Sequence, residues 1–183
     1  MATVCPWWLG YFLINPFRRW RQDPRKILAP YVRQGMTVLE PGPGMGFFTL
    51  ELAERVGPAG RVIAVDIQSK MLEKLKRRAA KRGLLERLET RLVGPASMAI
   101  GDLNGKIDFA LAFAVIHELP PSAAVFLEIA AGLKPGGRLL VAEPRGHVRL
   151  AAFEAELAAA AKAGLTVIER PSIAGSHAAL LKK

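Results

Sequence analysis

Apolar positions along this chain follow two alternating rhythms. Short, nearly unbroken runs, Thr37-Val38-Leu39, Arg61-Val62-Ile63-Ala64-Val65 and Phe109-Ala110-Leu111-Ala112-Phe113, have the length and side-chain types of buried strands. Between them apolar residues recur at helical spacing, as Leu50, Leu52, Ala53 and Val56 in one segment and Met71, Leu72, Leu75 and Ala79 in another. The punctuation agrees with this division. Asp23-Pro24 pairs an N-cap residue with a proline suited to a first helical position, and Gly35, Gly57-Pro58-Ala59-Gly60 and Gly83 close the segments. Together these signals predict helices over residues 24–34, 47–56, 69–82, 122–132 and 149–163. They predict strands near 37–39, 61–66, 88–93, 109–113, 138–142, 165–169 and 177–181, the last two forming a hairpin. Alternating strands and helices of this kind make an α/β sandwich.

The most informative stretch is Val38-Leu39-Glu40-Pro41-Gly42-Pro43-Gly44-Met45-Gly46-Phe47-Phe48-Thr49, a strand, a glycine turn and a helix start. Glycines at alternate positions let the backbone bend sharply and approach a ligand closely. The spacing G-x-G-x-G differs from the G-x-G-x-x-G of dinucleotide folds. Glu40 at the strand end would repel a pyrophosphate and suits a ligand carrying an ammonium group. Twenty residues after Gly46 a second strand ends in Asp66, where an acid can accept both hydroxyls of a ribose.

With these residues in view, the chain resembles the class I S-adenosylmethionine (SAM)-dependent methyltransferases, and among them the small-molecule, quinone-biosynthesis-like branch. The resemblance spans residues 24–183 and rests on four ordered blocks, 38–49, 62–68, 107–119 (IDFALAFAVIHEL) and 133–144 (LKPGGRLLVAEP). It implies a Rossmann-like three-layer sandwich with a seven-stranded, mostly parallel sheet whose last strand is antiparallel. It also implies SAM as cofactor, with S-adenosylhomocysteine as product. The cofactor-binding set it implies is Glu40, Gly42, Pro43, Gly44, Met45, Gly46, Asp66, Ile67, Gln68, Ala96, Ser97, Ala112 and Phe113. Pro95 stands where the family usually has an Asp that contacts the adenine amino group, which leaves that role to backbone groups or the Ser97 hydroxyl. Ala112 aligns with a position whose backbone meets the methionine part of SAM.

Methyl transfer from a sulfonium needs a placed nucleophile, exclusion of water and sometimes removal of a proton. Ala114-Val115-Ile116-His117-Glu118-Leu119 follows the fourth strand, at the strand end where open parallel sheets bind ligands. His117 is the candidate general base or hydrogen-bonding group, since imidazole titrates near neutrality. Glu118 and Glu143, with His147, are candidates for orienting an amine or hydroxyl acceptor. The bland reading has Glu118 facing solvent and Glu143 bracing the His117 loop.

Composition narrows the partners. With 183 residues, 51% hydrophobic and 23% charged, the chain is globular. Twenty-six Lys and Arg against sixteen Asp and Glu leave a net charge of +10, which attracts anionic partners. The densest basic run, Lys70, Lys74, Lys76, Arg77, Arg78, Lys81 and Arg82, reads as a solvated helix face. A nucleic-acid partner is disfavoured, because no basic patch interleaved with aromatics occurs beyond the N-terminal region. An RNA or protein methyltransferase stays open as an alternative, although Ala112-Phe113-Ala114-Val115 lacks the Asn/Asp-Pro-Pro-Tyr/Phe pattern of base and glutamine methylation. A non-catalytic SAM-binding regulatory module also stays open.

Residues 1–23 form an aromatic and basic arm with Trp7, Trp8, Tyr11, Phe12, Phe17 and Arg18, Arg19 and Arg21. It is expected either to pack on the domain, to close over the site as a lid, or to make peripheral membrane contact. The single Cys5 excludes an internal disulfide, and no His or Cys cluster has metal-ligand spacing. A cytoplasmic location is expected, since the apolar run 4–14 is too short to span a bilayer and no basic leader precedes it. The acceptor and the oligomeric state are not legible.

Overall fold

The computed structural model describes residues 21–119 and 122–183, so the aromatic arm before Arg21, with Cys5, and the Pro120-Pro121 pair lie outside the described residues. Seven strands make one sheet, in the order β3-β2-β1-β4-β5-β7-β6, and the chain divides into two compact units, before and after Val93.

The first unit opens with α1 (Pro24–Leu28), capped by Asp23, whose Oδ1 accepts the Arg25 N–H at 3.0 Å. This helix ends well short of the expected residue 34. Pro30 is the reason, because its ring clashes with a preceding helical turn and it has no N–H to donate. Tyr31 and Val32 are still buried, each donating its backbone N–H to the Leu28 carbonyl. Strands β1 (Thr37–Pro41) and β2 (Arg61–Asp66) run parallel in register from Thr37 with Arg61 to Pro41 with Val65. Strand β3 (Leu88–Leu92) continues on the other side of β2, from Val62 with Leu88 to Asp66 with Leu92.

Helix α2 (Thr49–Val56) begins two residues later than expected, because residues 44–48 are spent on the turn itself. Ser69, a residue type suited to capping, is instead the first residue of helix α3 (Ser69–Ala80), and extended Gln68 stands at the cap position. Leu39, Leu52, Ile63 and Leu75 are fully buried, which joins the central strands to the inner faces of α2 and α3. Glu51 sits in that buried face of α2 only because Arg55 and Arg25 neutralise it, at 2.9 and 3.4 Å.

In the second unit β4 (Ile107–Phe113) lies parallel to β5 (Leu133–Pro144), with Phe109 opposite Arg138 and Phe113 opposite Ala142. Strand β5 is longer than the predicted 138–142 at both ends, and its C-terminal extension carries Glu143 within the ladder. Helices α4 (Ser122–Gly132) and α5 (Leu150–Lys162) contribute Phe126 and Phe153 to a core with Phe109 and Leu111. Strand β7 (Ser176–Lys182) pairs antiparallel with β5 and with β6 (Thr166–Glu169), which gives the expected antiparallel last strand. Among the described residues no helix is long and apolar enough to cross a membrane.

Candidate active site

Two groups of side chains carry the candidate chemistry, one in each unit. The first surrounds the bend after β1. Glycines 42, 44 and 46 have φ of 64°, 54° and 84°, a conformation that side-chain-bearing residues avoid. Two of them serve different ends. A Cβ on Gly46 would lie 2.5 Å from Leu75 Cδ1, so this glycine lets the turn pack on α3. A Cβ on Gly44 would meet no protein atom within 4 Å, so its missing side chain leaves space in front of the backbone. Pro43 and Met45 are buried, and the Pro43 carbonyl accepts the Gly46 N–H at 3.0 Å, which closes the turn on itself. The Arg78 guanidinium donates to the Met45 carbonyl and holds the bend against α3. Arg78 therefore does not face outward with the rest of the basic run, as its position in that run suggested.

Glu40 is 4% exposed, and its Oε2 has no hydrogen-bond partner among the described residues. Burial, above all, pushes its pKa up to about 8. The nearby Thr49 hydroxyl opposes that rise, although its Oγ1 closes no hydrogen bond of normal geometry, and the charge of Asp66 adds to it. The side chain is thus a neutral acid at pH 7, with one oxygen unused. At the end of β2, Asp66 Oδ1 accepts the Gln68 N–H at 2.8 Å, which orients the carboxylate, and Ile67 beside it is 37% exposed. A buried acid with one unpartnered oxygen, a bare main-chain bend and an oriented acid one strand away fit an ammonium-bearing nucleoside such as SAM.

The second group follows β4. Ala114 is left-handed, at φ 55°, a strain that turns the chain into the Ile116–Glu118 3-10 turn while its N–H donates to the Ala142 carbonyl at 2.7 Å. Glu143 is completely buried. Its Oε1 accepts the N–H groups of Val115 at 3.2 Å and Ile116 at 2.8 Å, and its Oε2 meets His117 Nδ1. Every one of these partners is a donor when Glu143 is ionised and His117 carries its proton on Nδ1. That tautomer leaves Nε2 as the working nitrogen, 3.9 Å from Glu118 Oε1. The hydrogen bond to Glu143 raises the His117 pKa, burial opposes it, and the charges of Glu143, Glu118 and Glu156 add to the rise. The His147 ring lies parallel to that of His117, within 3° and 6.3 Å between centroids.

Glu156 on α5 is a member that sequence reasoning missed, since no motif surrounds it in the alanine-rich helix. Burial, then the charge of Glu143, pushes it to about 7, with His117 opposing, and its Oε2 has no partner among the described residues.

The remaining expected residues are placed less directly. Ser97 Oγ donates to Glu128 Oε2 and accepts the Ala99 N–H, both at 3.0 Å, while the same Glu128 oxygen accepts the Met98 N–H. The hydroxyl proton that adenine recognition would use is therefore committed to holding this loop on α4, and Ala96 beside it is exposed. Ala112 and Phe113 point into the core and offer only main chain. Among the described residues no group of His, Cys, Asp and Glu is arranged to hold a metal ion.

Residues 33–176 match the model of a family described as a methyltransferase domain. The chain belongs to that family, within the class I SAM-dependent methyltransferases. Among curated proteins it is 33% identical over 128 residues to the demethylmenaquinone methyltransferase of Lactococcus lactis, covering 68% of this chain and 47% of that protein. It is 32% identical over 121 residues to the arsenite methyltransferase of Halobacterium salinarum, covering 66% and 30%. The chain thus spans less than half the length of these relatives. Its fold is similar to that of a SAM-dependent methyltransferase from Aquifex aeolicus, with a TM-score of 0.84 at 23% identity over 97% of this chain and 98% of the other.

Proposed function

We propose that this protein transfers a methyl group from SAM to a small-molecule acceptor whose nucleophilic atom gives up a proton to His117. The observation that carries the reading is the His117–Glu143 pair. A buried carboxylate fixed by two backbone N–H groups holds the imidazole in one tautomer, with Nε2 left to accept a proton. When bound, SAM supplies an electrophilic methyl group on a cationic sulfur. Glu40, the main chain of residues 42–46 and Asp66 bind its amino-acid tail and sugar in this reading. Glu143 positions His117 and stabilises the imidazolium that forms, and Glu118 and Glu156 add negative field on the same ring. The curated relatives named for arsenite and demethylmenaquinone support a small acceptor without fixing which one.

The test is a transfer assay with radiolabelled SAM against phenols, quinols, thiols, amines, arsenite, RNA and a protein mixture. A small molecule is expected to be labelled, and His117→Ala is expected to lower kcat by about 10²–10⁴-fold while S-adenosylhomocysteine affinity changes little. Because the carboxylates raise the His117 pKa, the acid limb of the kcat profile should lie above the ordinary imidazole value of about 6.5. Labelling of RNA or protein alone, or a His117→Ala enzyme as fast as the parent, would reject the reading.

A further inference from the structure

Glu40 poses a question that methyl transfer leaves unanswered. A carboxyl group 4% exposed, with one oxygen lacking a partner among the described residues, is expensive to ionise. Among the described residues no cation acts on it. Asp66 on β2 is itself an acid and acts on Glu40 unfavourably. On α2, Glu51 is paired with Arg55 and Arg25, and Glu54 with Arg82. On α3, Arg78 is committed to the Met45 carbonyl. Arg61 lies at the opposite end of β2.

We infer that the ammonium-bearing tail of the cofactor, on reaching the bend after β1, expels a proton from Glu40, so that cofactor binding is coupled to release of one proton into solvent. This rests on the SAM-binding reading above and goes beyond it. In the free protein Glu40 is a neutral acid. In the complex it is a carboxylate paired with the ligand's ammonium, so one O–H bond breaks, the proton passes to buffer, and an ion pair takes its place. The pKa of about 8 in the free protein is consistent with this exchange. Affinity should then weaken by about tenfold for each pH unit below that value, since the proton competes with the ligand. A change in pH would thereby alter cofactor occupancy before it alters the transfer step.

Calorimetry decides the matter without any turnover. S-adenosylhomocysteine and 5′-methylthioadenosine, which keeps the base and sugar but lacks the amino-acid tail, are titrated into the full chain at about pH 6.5, where an α-amino group is cationic. Each titration is run in phosphate and in imidazole, buffers with very different heats of protonation. The expected result is nearly one proton released with S-adenosylhomocysteine, none with methylthioadenosine, and none with S-adenosylhomocysteine on Glu40→Gln. Equal heats for S-adenosylhomocysteine in the two buffers would overturn the inference and leave the cofactor assignment standing, with Glu40 remaining neutral as a donor to the ligand carboxylate. Proton release that persists in Glu40→Gln would also overturn it, by placing the titrating group elsewhere. Failure of both ligands to bind would instead remove the SAM-binding reading itself.

Discussion

Glu40 near the end of β1 and Glu143 near the end of β5 are both glutamates buried in strands, yet the protein treats them in opposite ways. Glu143 has two backbone N–H groups and an imidazole directed at it, so both its oxygens have partners despite its burial. Glu40 has a hydroxyl that closes no proper hydrogen bond and an acid across the ladder, so burial leaves it protonated. The desolvation cost is similar in kind, and what differs is the number of hydrogen-bond donors each carboxyl group is offered. One glutamate is satisfied by its own chain and serves to hold a loop. The other keeps one oxygen without a partner among the described residues.

The largest effect should come from breaking the satisfied member. Glu143→Ala would strand two backbone donors and the His117 N–H, and we expect a loss of about 3–5 kcal/mol in urea unfolding. A loss under about 1 kcal/mol would show that the loop finds other acceptors.

Next in size is the reverse effect at Glu40. Its pKa is raised on folding, so the native state holds more protons than the unfolded chain between roughly 4.5 and 8. The stability tied to this proton is therefore fully present below pH 4.5 and is lost as pH rises to about 8, by several kcal/mol. In the ligand-free protein Glu40→Gln should flatten that part of the stability profile. A profile as steep as the parent's would refute the assignment of a neutral buried acid.

A smaller contrast lies within the bend. Gly46→Ala drives a methyl group against Leu75 and should cost about 2–3 kcal/mol, whereas Gly44→Ala meets open space and should cost about 1–2 kcal/mol, from its positive φ alone. The Gly44 variant should nevertheless lose more S-adenosylhomocysteine affinity than stability. Equal thermal shifts for the two variants would erase the distinction between a packing glycine and a ligand-facing one.

The element order was readable because each signal is local. A period of two or of three to four residues, a capping Asp23 and a closing Gly83 all act within a few positions. The α1 boundary shows the limit of that reading: its apolar pattern continues through Tyr31 and Val32, and Pro30 within it ended the helix early. Glu40, Asp66 and the three glycines were legible as candidates because a strand end followed by alternate glycines has few other uses. Arg78 was misread, because one turn of a basic helix looks like another until the Met45 carbonyl is seen beneath it.

By itself, then, the sequence determined where strands and helices run, which backbone positions need glycine and which acids end the strands, since neighbouring residues settle those matters. Only the tertiary structure decided what those acids are. His117 and Glu143 are 26 residues apart, Val115 and Glu143 28, and Met45 and Arg78 33. Charge state depends on water removed and donors supplied by such distant segments, and no stretch of local pattern contains that information.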